Sequence, residues 1–510
     1  MTISTLLWLV PTILAGKLLY AVGMSARLWQ RHRLIGELAA GLLLASAPFL
    51  FVSEFSLITQ LLLLGIEAGL LIVAARLVFG RLDPAFLRPS TKFNSLVAVV
   101  LLLIVLVGWI TVNVWKIQPT GSQLLTVIMG LGCVVGVIFL YQVTWTLKHY
   151  RLRKINQDLK LRDLPTVSLL IPARNETHAL TNCLMAAVAS DYPKLEILVL
   201  DDCSQDTTPE LIRAFAHDGV RFISGDVPAE GWLGRNQAMR TLAEQASGEY
   251  SIFADVDTHV SPQSITKLIT YALSNNATMV SVLPQRRDGL HIATTCQQLR
   301  YFWQVALPIT RRRVPVASQC WLIKADALHH LGGFGAVRQK IVPESSFARR
   351  LFGIDMYRFI IANSELGITT AKRWSSQNET AIRFLYPTFH RQPFYILCGF
   401  VGLVLFVLLP CVLAVVLAIL QQFDALFWIS VCPAALLFAS YALVVARTHP
   451  KTWPLTLVCL PFSLLQESLL LILSMLLYEF GEVNWKGRNV CYPVIASSGL
   501  ARSSRDLTQN

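Results

Sequence analysis

Residues 250–257 read Y-S-I-F-A-D-V-D, five residues without charge followed by two aspartates that flank one valine. A short run of this kind is typical of a strand buried in a parallel sheet. Similar runs occur at 167–171, 195–200, 221–224 and 279–282, and the stretches between the runs have helical periodicity, at 176–189, 209–216, 236–245 and 262–273. Strands that alternate with helices predict an α/β domain with a mostly parallel sheet.

Polar residues follow three of these strands. P-A-R-N-E follows the first strand (172–176), D-D-C-S-Q-D the second (201–206) and D-V-D the fourth (255–257). Because parallel sheets bind ligands at the carboxyl ends of their strands, we expect these loops to form a ligand site. The segment contains neither a Walker A loop nor G-x-G-x-x-G, so it lacks the phosphate cradle of a P-loop ATPase or a Rossmann dehydrogenase.

Asp255 and Asp257 are candidate metal ligands. The two aspartates are at positions i and i+2, where the strand ends and a loop begins. A turn at this point can direct both carboxylates to one cation. Carboxylate oxygens with open coordination positions suit Mg²⁺ or Mn²⁺, which bind a few carboxylates together with substrate phosphates. The sequence therefore predicts a Mn²⁺ or Mg²⁺ site that neutralises a diphosphate.

The composition places this domain in a membrane protein. The chain has 510 residues, of which 54% are apolar and only 15% charged (44 Lys and Arg, 31 Asp and Glu), where soluble domains average about 25% charged. This excludes a disordered chain and a secreted soluble one. Ten scattered cysteines indicate neither a disulfide framework nor a zinc site. The stretches long enough to cross a bilayer are 5–22, 34–52, 55–77, 96–114, 124–143, 395–420, 425–446 and 455–477.

The distribution of Lys and Arg predicts the orientation. Basic residues cluster in alternate loops, at 27–33, 76–92, 148–162 and 447–451, whereas the other loops contain little beyond Lys116. Since cytoplasmic loops collect Lys and Arg, the N-terminus is expected outside and the polar segment 148–393 in the cytoplasm. The net charge of +13 is therefore a topology signal, and nucleic-acid binding is not expected.

The end of the chain conflicts with this charge rule. If the stretch 455–477 crosses completely, the tail with Lys486 and Arg488 lies outside. Pro461, Gln466 and Glu467 interrupt the stretch, so a re-entrant or interfacial segment is the alternative.

These patterns predict five segments. Five transmembrane helices occupy 1–147, and a basic juxtamembrane arm follows at 148–164. The α/β domain covers 165–391, with interfacial segments near 297–313 and 379–393. Two or three transmembrane helices occupy 394–478, and a polar tail covers 479–510.

The α/β segment resembles the inverting glycosyltransferases of family 2, and among them the membrane-anchored enzymes that act on lipids such as ceramides and hopanoids. The motifs that carry the resemblance occur in family order: P-A-R-N-E, D-D-x-S-x-D, G-W-L-G-R-N (231–236), D-V-D and G-G-F (332–334). The resemblance covers about 165–391 and extends weakly to W-K-G-R at 485–488. It implies a GT-A fold, which is a Rossmann-like domain that binds nucleotide-diphosphate sugars.

The resemblance also implies roles for individual residues. Asp257 is the principal metal ligand, and Asp255 lies near the donor sugar, the ribose and the metal. Arg235 stands where the family has Lys in G-W-x-G-K-N, which keeps the charge but changes the hydrogen-bond geometry. The remaining residues expected beside the donor nucleotide are Ala173, Arg174, Glu176 and Asp202.

The expected catalytic base is Glu344. The family has Asp in E-D-x-x-L-A-R, and alignment on F-A-R at 347–349 puts Pro343 and Glu344 at the two acidic positions. An extra methylene shifts the carboxylate, so Glu344 is a base, a re-tuned base or a relic. The Q-x-x-R-W signature of processive synthases is matched by T-A-K-R-W at 370–374, which gives Arg373 and Trp374 roles in binding phosphate and acceptor.

Together, these observations predict an integral membrane enzyme, in a bacterial inner or cell membrane, with a cytoplasmic catalytic domain. It is expected to transfer a sugar with inversion from a nucleotide-diphosphate sugar, a UDP-sugar above all, to a membrane lipid. One alternative is a processive polysaccharide synthase, which Thr370 in place of Gln disfavours. The other is a non-catalytic membrane protein that binds nucleotide sugars.

Overall fold

The structure is a computed structural model that describes residues 121–150, 164–287, 299–310, 313–389, 393–480 and 483–490. The first four predicted transmembrane helices, most of the basic arm, residues 297–298, 311–312 and 390–392, and the tail beyond 490 lie outside the described residues. The sheet, the helices around it and residues 483–490 belong to one compact unit, formed by Ser122–Met475 and Val483–Val490.

The elements are numbered along the described chain. The helices are α1 (Gly121–His149), α2 (Leu180–Val188), α3 (Thr208–Ala214), α4 (Gly234–Gln245), α5 (Ser264–Ser274), α6 (Leu299–Ala306), α7 (Ala325–His330), α8 (Glu344–Phe352), α9 (Trp374–Thr388), α10 (Pro393–Leu403), α11 (Leu409–Ile419), α12 (Ala425–Thr448), α13 (Trp453–Val458) and α14 (Leu460–Phe480). The strands are β1 (Val167–Ala173), β2 (Leu195–Asp201), β3 (Val220–Ser224), β4 (Tyr250–Ala254), β5 (Thr258–Val260), β6 (Met279–Leu283), β7 (Gln285–Arg286), β8 (Cys320–Lys324), β9 (Tyr357–Ile361), β10 (Ile368–Thr370), β11 (Asn484–Trp485) and β12 (Arg488–Asn489).

A seven-stranded sheet in the order β3-β2-β1-β4-β8-β6-β9 forms the centre of the domain. The pairs β1 with β2, β1 with β4, β2 with β3 and β6 with β9 are parallel, and β8 alone runs antiparallel to its neighbours β4 and β6. The expected α/β domain with a mostly parallel sheet is confirmed. Three boundaries near the strand ends differ from the sequence prediction: β1 and β2 extend to Ala173 and Asp201, and α2 begins only at Leu180, so Glu176 lies in the loop.

Apolar clusters cover both faces of this sheet, as its buried strands require. On one face, Leu169, Val199 and Ile252 pack with helices α2 and α5. On the other, Phe253 stacks on Trp321 with ring centroids 4.3 Å apart. This second cluster continues through α6, whose Phe302 contacts rings on α1 and α12.

A small second sheet joins the segment after D-V-D to the segment that precedes α9. It has the order β5-β10-β7, with Thr258 opposite Thr370 in antiparallel register. Strand β5 begins directly after D-V-D, and β10 ends directly before the A-K-R-W stretch. The register therefore brings residues more than 100 positions apart to one place.

Four described helices are long and apolar enough to cross a membrane: residues Leu125–His149 of α1, Gly399–Ile419 across α10 and α11, Ala425–Thr448, and Leu460–Tyr478 of α14. Helix α14 also packs along α9, because Gln466 donates to Asn378 (3.2 Å) and the backbone N–H of Tyr386 donates to the hydroxyl of Ser474 (3.1 Å).

Packing in the second cluster gives a direct stability test. Trp321 is fully buried against Phe253, so Trp321→Ala leaves a cavity, and we expect the free energy of unfolding to fall by about 3–5 kcal/mol. Trp374→Ala is the matched control, since 49% of Trp374 is exposed. Thermal unfolding of detergent-solubilised protein measures both variants. Equal shifts in melting temperature would contradict the packing described.

Candidate functional site

A tight turn at the end of β4 positions the two aspartates of D-V-D. The backbone N–H of Asp255 donates to the carbonyl of Gln319 (3.0 Å), and the N–H of Thr258 donates back to the carbonyl of Asp255 (2.9 Å). Thr258 also uses its hydroxyl to donate to Gln319 O (2.9 Å). The turn is therefore held by the segment that leads into β8.

Asp255 forms an ion pair with Arg235, the second residue of α4. Arg235 Nη2 lies 2.6 Å from Asp255 Oδ1 and also donates to the carbonyl of Ser318 (3.3 Å). Burial raises the pKa of Asp255, but Arg235 and Lys372 outweigh this effect, so its pKa lies below the usual value. Asp255 therefore stays ionised.

Asp257 pairs with a residue to which the sequence analysis gave no role. Lys372 Nζ lies 3.0 Å from Asp257 Oδ2, and the N–H of Ala371 donates to the carbonyl of Asp257 (3.1 Å). The other oxygen, Oδ1, is buried and has no hydrogen-bond partner among the described residues. A basic residue directly before the R-W of the signature was the available signal for Lys372.

Glu344 is the first residue of α8 and is fully buried. Its Oε1 accepts a hydrogen bond from the Ser318 hydroxyl, whereas its Oε2 is buried with no hydrogen-bond partner in the described chain. Burial raises the pKa of Glu344 above its usual value, with Arg235 and the Ser318 hydroxyl opposing the shift in part. Arg235 binds Asp255 and the carbonyl of Ser318, and the hydroxyl of Ser318 binds Glu344. Glu344 therefore lies near the D-V-D turn.

Asn236 holds the segment that leads to Glu344. Its side-chain amide donates to the carbonyls of Val337 (3.1 Å), Arg338 (3.0 Å) and Lys340 (2.8 Å), and the N–H of Leu233 donates to Arg338 O (3.0 Å). The G-W-L-G-R-N stretch thus fixes both Arg235 and the approach to α8.

The loops after β1 and β2 are joined through Arg174. Its Nη1 donates to the carbonyls of Asp202 (2.5 Å) and Cys203 (2.8 Å), and the N–H of Asp202 donates to the carbonyl of Ala173 (2.8 Å). Asn175 and Cys203 adopt positive φ angles of 50° and 52°. These contacts put Ala173, Arg174 and Asp202 at one strand edge, as expected.

Residues from the far end of the chain pair with the carboxylates of these loops. Lys486 Nζ lies 2.5 Å from Glu176 Oε1, and Arg488 Nη1 lies 2.7 Å from both carboxylate oxygens of Asp202. Burial raises the pKa of Glu176 and of Asp202 above their usual values, with Lys486 and Arg488 opposing the shifts. The sequence analysis assigned no role to Lys486 or Arg488.

Arg373 and Trp374 lie at the start of α9, next to Lys372. Both are exposed, Trp374 to 49%. They follow Lys372, which pairs with Asp257, so the structure places both exposed residues near the D-V-D turn.

The donor set fits a divalent cation that also binds a substrate. Among the described residues, no three His, Cys, Asp or Glu side chains gather at one point, so these residues alone do not form a closed metal cage. Asp257 Oδ1 is a buried oxygen without a hydrogen-bond partner in this part of the chain, and Asp255 is held ionised beside it. Two carboxylates and the oxygens of a diphosphate are the ligand set that Mg²⁺ or Mn²⁺ uses.

Residues 168–328 match the family model of glycosyl transferase family 2. A similar protein is glycosyltransferase AglE of Haloferax volcanii, 39% identical over 98 residues, 18% of this chain and 31% of that protein. A second is the ceramide glucosyltransferase of Komagataella phaffii, 28% identical over 162 residues, 29% of this chain and 30% of that protein. The chain thus spans about a third of the length of these relatives.

Among solved structures, the chain is similar to the mannosyltransferase PcManGT from Pyrobaculum calidifontis in complex with GDP-Man and Mn²⁺. The TM-score is 0.42 and the identity 16%, and the match covers 70% of this chain and 98% of that one.

The ion pair between Arg235 and Asp255 can be tested through stability. Arg235→Ala leaves Asp255 without its cation, and we expect a loss below the roughly 3–5 kcal/mol typical of a fully buried pair, because 24% of the Asp255 side chain is exposed. The double variant Arg235→Ala/Asp255→Asn should recover most of the lost melting temperature. Arg240→Ala is the control, since its pair with Glu244 on the same helix is exposed. A double variant no more stable than Arg235→Ala would contradict the pairing.

Proposed function

We propose that this chain, whose residues 168–328 form a family 2 glycosyltransferase domain with the GT-A fold, transfers a sugar from a nucleotide-diphosphate sugar to a membrane lipid. The observation that carries the proposal is the grouping of Asp255, Asp257 and the buried Glu344 at one edge of the sheet. Two carboxylates that pair with basic side chains, next to a carboxyl of raised pKa, match a site that binds a diphosphate and accepts a proton.

The donor nucleotide lies across the loops after β1 and β2. Ala173, Arg174, Glu176 and Asp202 surround its base and ribose, and Arg235 with Asp255 lies beside the sugar. This assignment is supported by the direct contacts that join Arg174 to Asp202 and Arg235 to Asp255. We take a UDP-sugar as the first donor to test, and a GDP-sugar as the second.

Asp257 and Asp255 hold a Mn²⁺ or Mg²⁺ ion. When bound, the ion supplies positive charge that stabilises the diphosphate as it leaves. Lys372 and Arg235 add fixed positive charge at the same edge, because they lie 3.0 Å and 2.6 Å from these aspartates.

Glu344 acts as general base in a single displacement with inversion. The acceptor oxygen attacks the anomeric carbon and its proton passes to Glu344 Oε2, while the bond from that carbon to the diphosphate oxygen breaks and the nucleoside diphosphate departs. A carboxylate oxygen without a hydrogen-bond partner among the described residues is free to take this proton. The Ser318 hydroxyl orients the other oxygen.

The acceptor is a membrane lipid that approaches from the apolar helices. Helix α6, which precedes the catalytic segment, packs on α1 and α12, both long enough to cross a membrane. The exposed Arg373 and Trp374 are placed to contact the lipid head group. The similarity to a ceramide glucosyltransferase supports a lipid acceptor.

The catalytic domain faces the cytoplasm, according to the distribution of Lys and Arg. We infer that α14 does not cross the membrane. Gln285 of the domain donates to the carbonyl of Arg447 at the end of α12, which precedes α13 and α14, and Lys486 and Arg488 after α14 contact the same domain. Both flanks of α14 then lie on one side, which removes the conflict between the basic tail and the charge rule.

Transfer of labelled sugar tests this function. Detergent-solubilised protein with Mn²⁺, a native lipid extract and a panel of labelled UDP- and GDP-sugars should place label in the organic phase, and EDTA should abolish it. Glu344→Gln should lower the rate by about 10²–10⁴-fold, because an amide cannot accept the proton. The exposed Glu365→Gln is the matched control and should keep full activity.

Other distributions of label would identify the alternatives. Label in an insoluble polymer would indicate a processive polysaccharide synthase. No transfer despite intact nucleotide binding would indicate a non-catalytic protein.

The raised pKa of Glu344 also predicts the pH dependence. Protonated Glu344 cannot act as base, so kcat/KM should rise with pH through an inflection above the ordinary Glu pKa of about 4.3. Ser318→Ala removes a hydrogen bond that lowers this pKa, so the inflection should move to still higher pH. An inflection that stays in place in Ser318→Ala would argue against Glu344 as the titrating base.

A further inference from the structure

Residues 483–490 form a β-hairpin, called here the tail hairpin. Strands β11 and β12 pair antiparallel, and the N–H of Val490 donates to the carbonyl of Val483 (2.8 Å). The two turn residues, Lys486 and Gly487, have φ angles of 48° and 76°, the signs of a type I′ turn. Lys rarely adopts a positive φ, so other contacts hold it there.

One set of contacts joins the turn to the loop after β1. Besides its ion pair with Glu176, Lys486 Nζ donates to the carbonyls of Arg174 (3.0 Å) and Asn175 (3.2 Å). Arg174 Nε in return donates to the carbonyl of Lys486 (3.0 Å). These reciprocal bonds connect the hairpin to the P-A-R-N-E loop through backbone and side chain together.

A second set joins the hairpin to the loop after β2 and to the start of α4. Arg488 binds both carboxylate oxygens of Asp202 at 2.7 Å, and its Nη2 donates to the carbonyl of Asp202 (3.3 Å). Gly234 leaves the necessary room, because a Cβ there would collide with Arg488 Nη1 and lie 3.2 Å from Asp202 Oδ2. Gly234, the first residue of α4, thus leaves space for the guanidinium of Arg488.

A third contact joins the hairpin to α9. The guanidinium of Arg383 lies over the ring of Trp485, 4.5 Å from its centroid. Arg383 is also one of the cations that lower the pKa of Asp255. The tail hairpin therefore contacts the loops after β1 and β2 and, through Arg383, lies near the D-V-D turn.

The hairpin supplies the positive charge that the loops after β1 and β2 need in order to bind an anion. Glu176 and Asp202 contribute two negative charges, which would repel a nucleoside diphosphate, and Lys486 and Arg488 contribute two positive charges beside them. A carboxylate has about four acceptor positions, and one nitrogen of Arg488 contacts both oxygens, so Asp202 can still accept hydrogen bonds from a nucleoside. Arg488 thus neutralises and orients Asp202 and leaves acceptor positions on its carboxylate for the nucleotide.

We propose that the tail hairpin is a wall of the donor site and that Arg488 and Lys486 are positioning residues that hold Asp202 and Glu176 for the nucleotide. This inference rests on the proposed function. It assigns the last described segment of the chain to the donor site formed by the loops after β1 and β2.

Nucleotide binding by the full chain tests the inference. Calorimetry with UDP and with GDP, each with Mn²⁺, selects the tighter ligand for the wild type. Arg488→Ala and Lys486→Ala should then raise its Kd by about 10- to 100-fold, as expected for loss of a bond between charged groups. Arg488→Lys should have an intermediate effect, because it keeps the charge but loses the second nitrogen, which donates to the carbonyl of Asp202. Arg221→Ala, an exposed arginine on β3, is the control and should leave Kd unchanged.

A double-mutant cycle separates positioning from folding. If Arg488 acts through Asp202, Arg488→Ala should change Kd less than about twofold in an Asp202→Asn background. A hairpin that only stabilises the fold would lower the melting temperature of Arg488→Ala and leave its Kd unchanged, which overturns the inference. Tighter binding in Arg488→Ala would also overturn it, because the hairpin would then compete with the nucleotide. A wild type that binds neither UDP nor GDP would refute the proposed function itself.

Discussion

Four carboxylates at the edge of the sheet each pair with a basic side chain from another part of the protein. Asp255 pairs with Arg235, Asp257 with Lys372, Glu176 with Lys486 and Asp202 with Arg488. Parallel strands bring their carboxyl ends together, and partly buried negative charges in such proximity destabilise a fold unless cations accompany them. The cations come from α4, from the segment after β10 and from the tail hairpin, so the site forms only when these distant segments are in place.

Glu344 departs from this pattern in a way that suits its proposed role. Its direct partner is the neutral hydroxyl of Ser318, and its second oxygen is buried without a hydrogen-bond partner in the described chain. Burial therefore raises its pKa, whereas Arg235 and Lys372 lower that of Asp255. Neighbouring carboxyls whose pKa values are shifted in opposite directions can take different parts in one reaction, one as a proton acceptor and the other as a fixed negative charge.

The sequence indicated the strand ends and their polar loops because these features are local. Apolar runs ending in P-A-R-N-E, D-D and D-V-D predicted the sheet and its binding edge, and the alignment on F-A-R placed Glu344 near it. Strands β8 and β9 were not predicted, because a short apolar run such as C-W-L-I does not distinguish a strand from a helix and does not reveal a strand's direction. Arg235 was expected at the site, but the ion pairs of Lys372, Lys486 and Arg488 were missed because pairing depends on tertiary distance: Arg488 and Asp202 are 286 positions apart.

The proposed nucleotide-binding edge consists of the three strand-end loops and the tail hairpin. Hydrogen–deuterium exchange of the full chain, with and without UDP or GDP and Mn²⁺, measures whether these parts bind the nucleotide together. We expect slower exchange on nucleotide addition in four segments at once: 173–176, 201–206, 255–258 and 483–490. Exchange unchanged in these segments, with protection confined to another part of the chain, would contradict it.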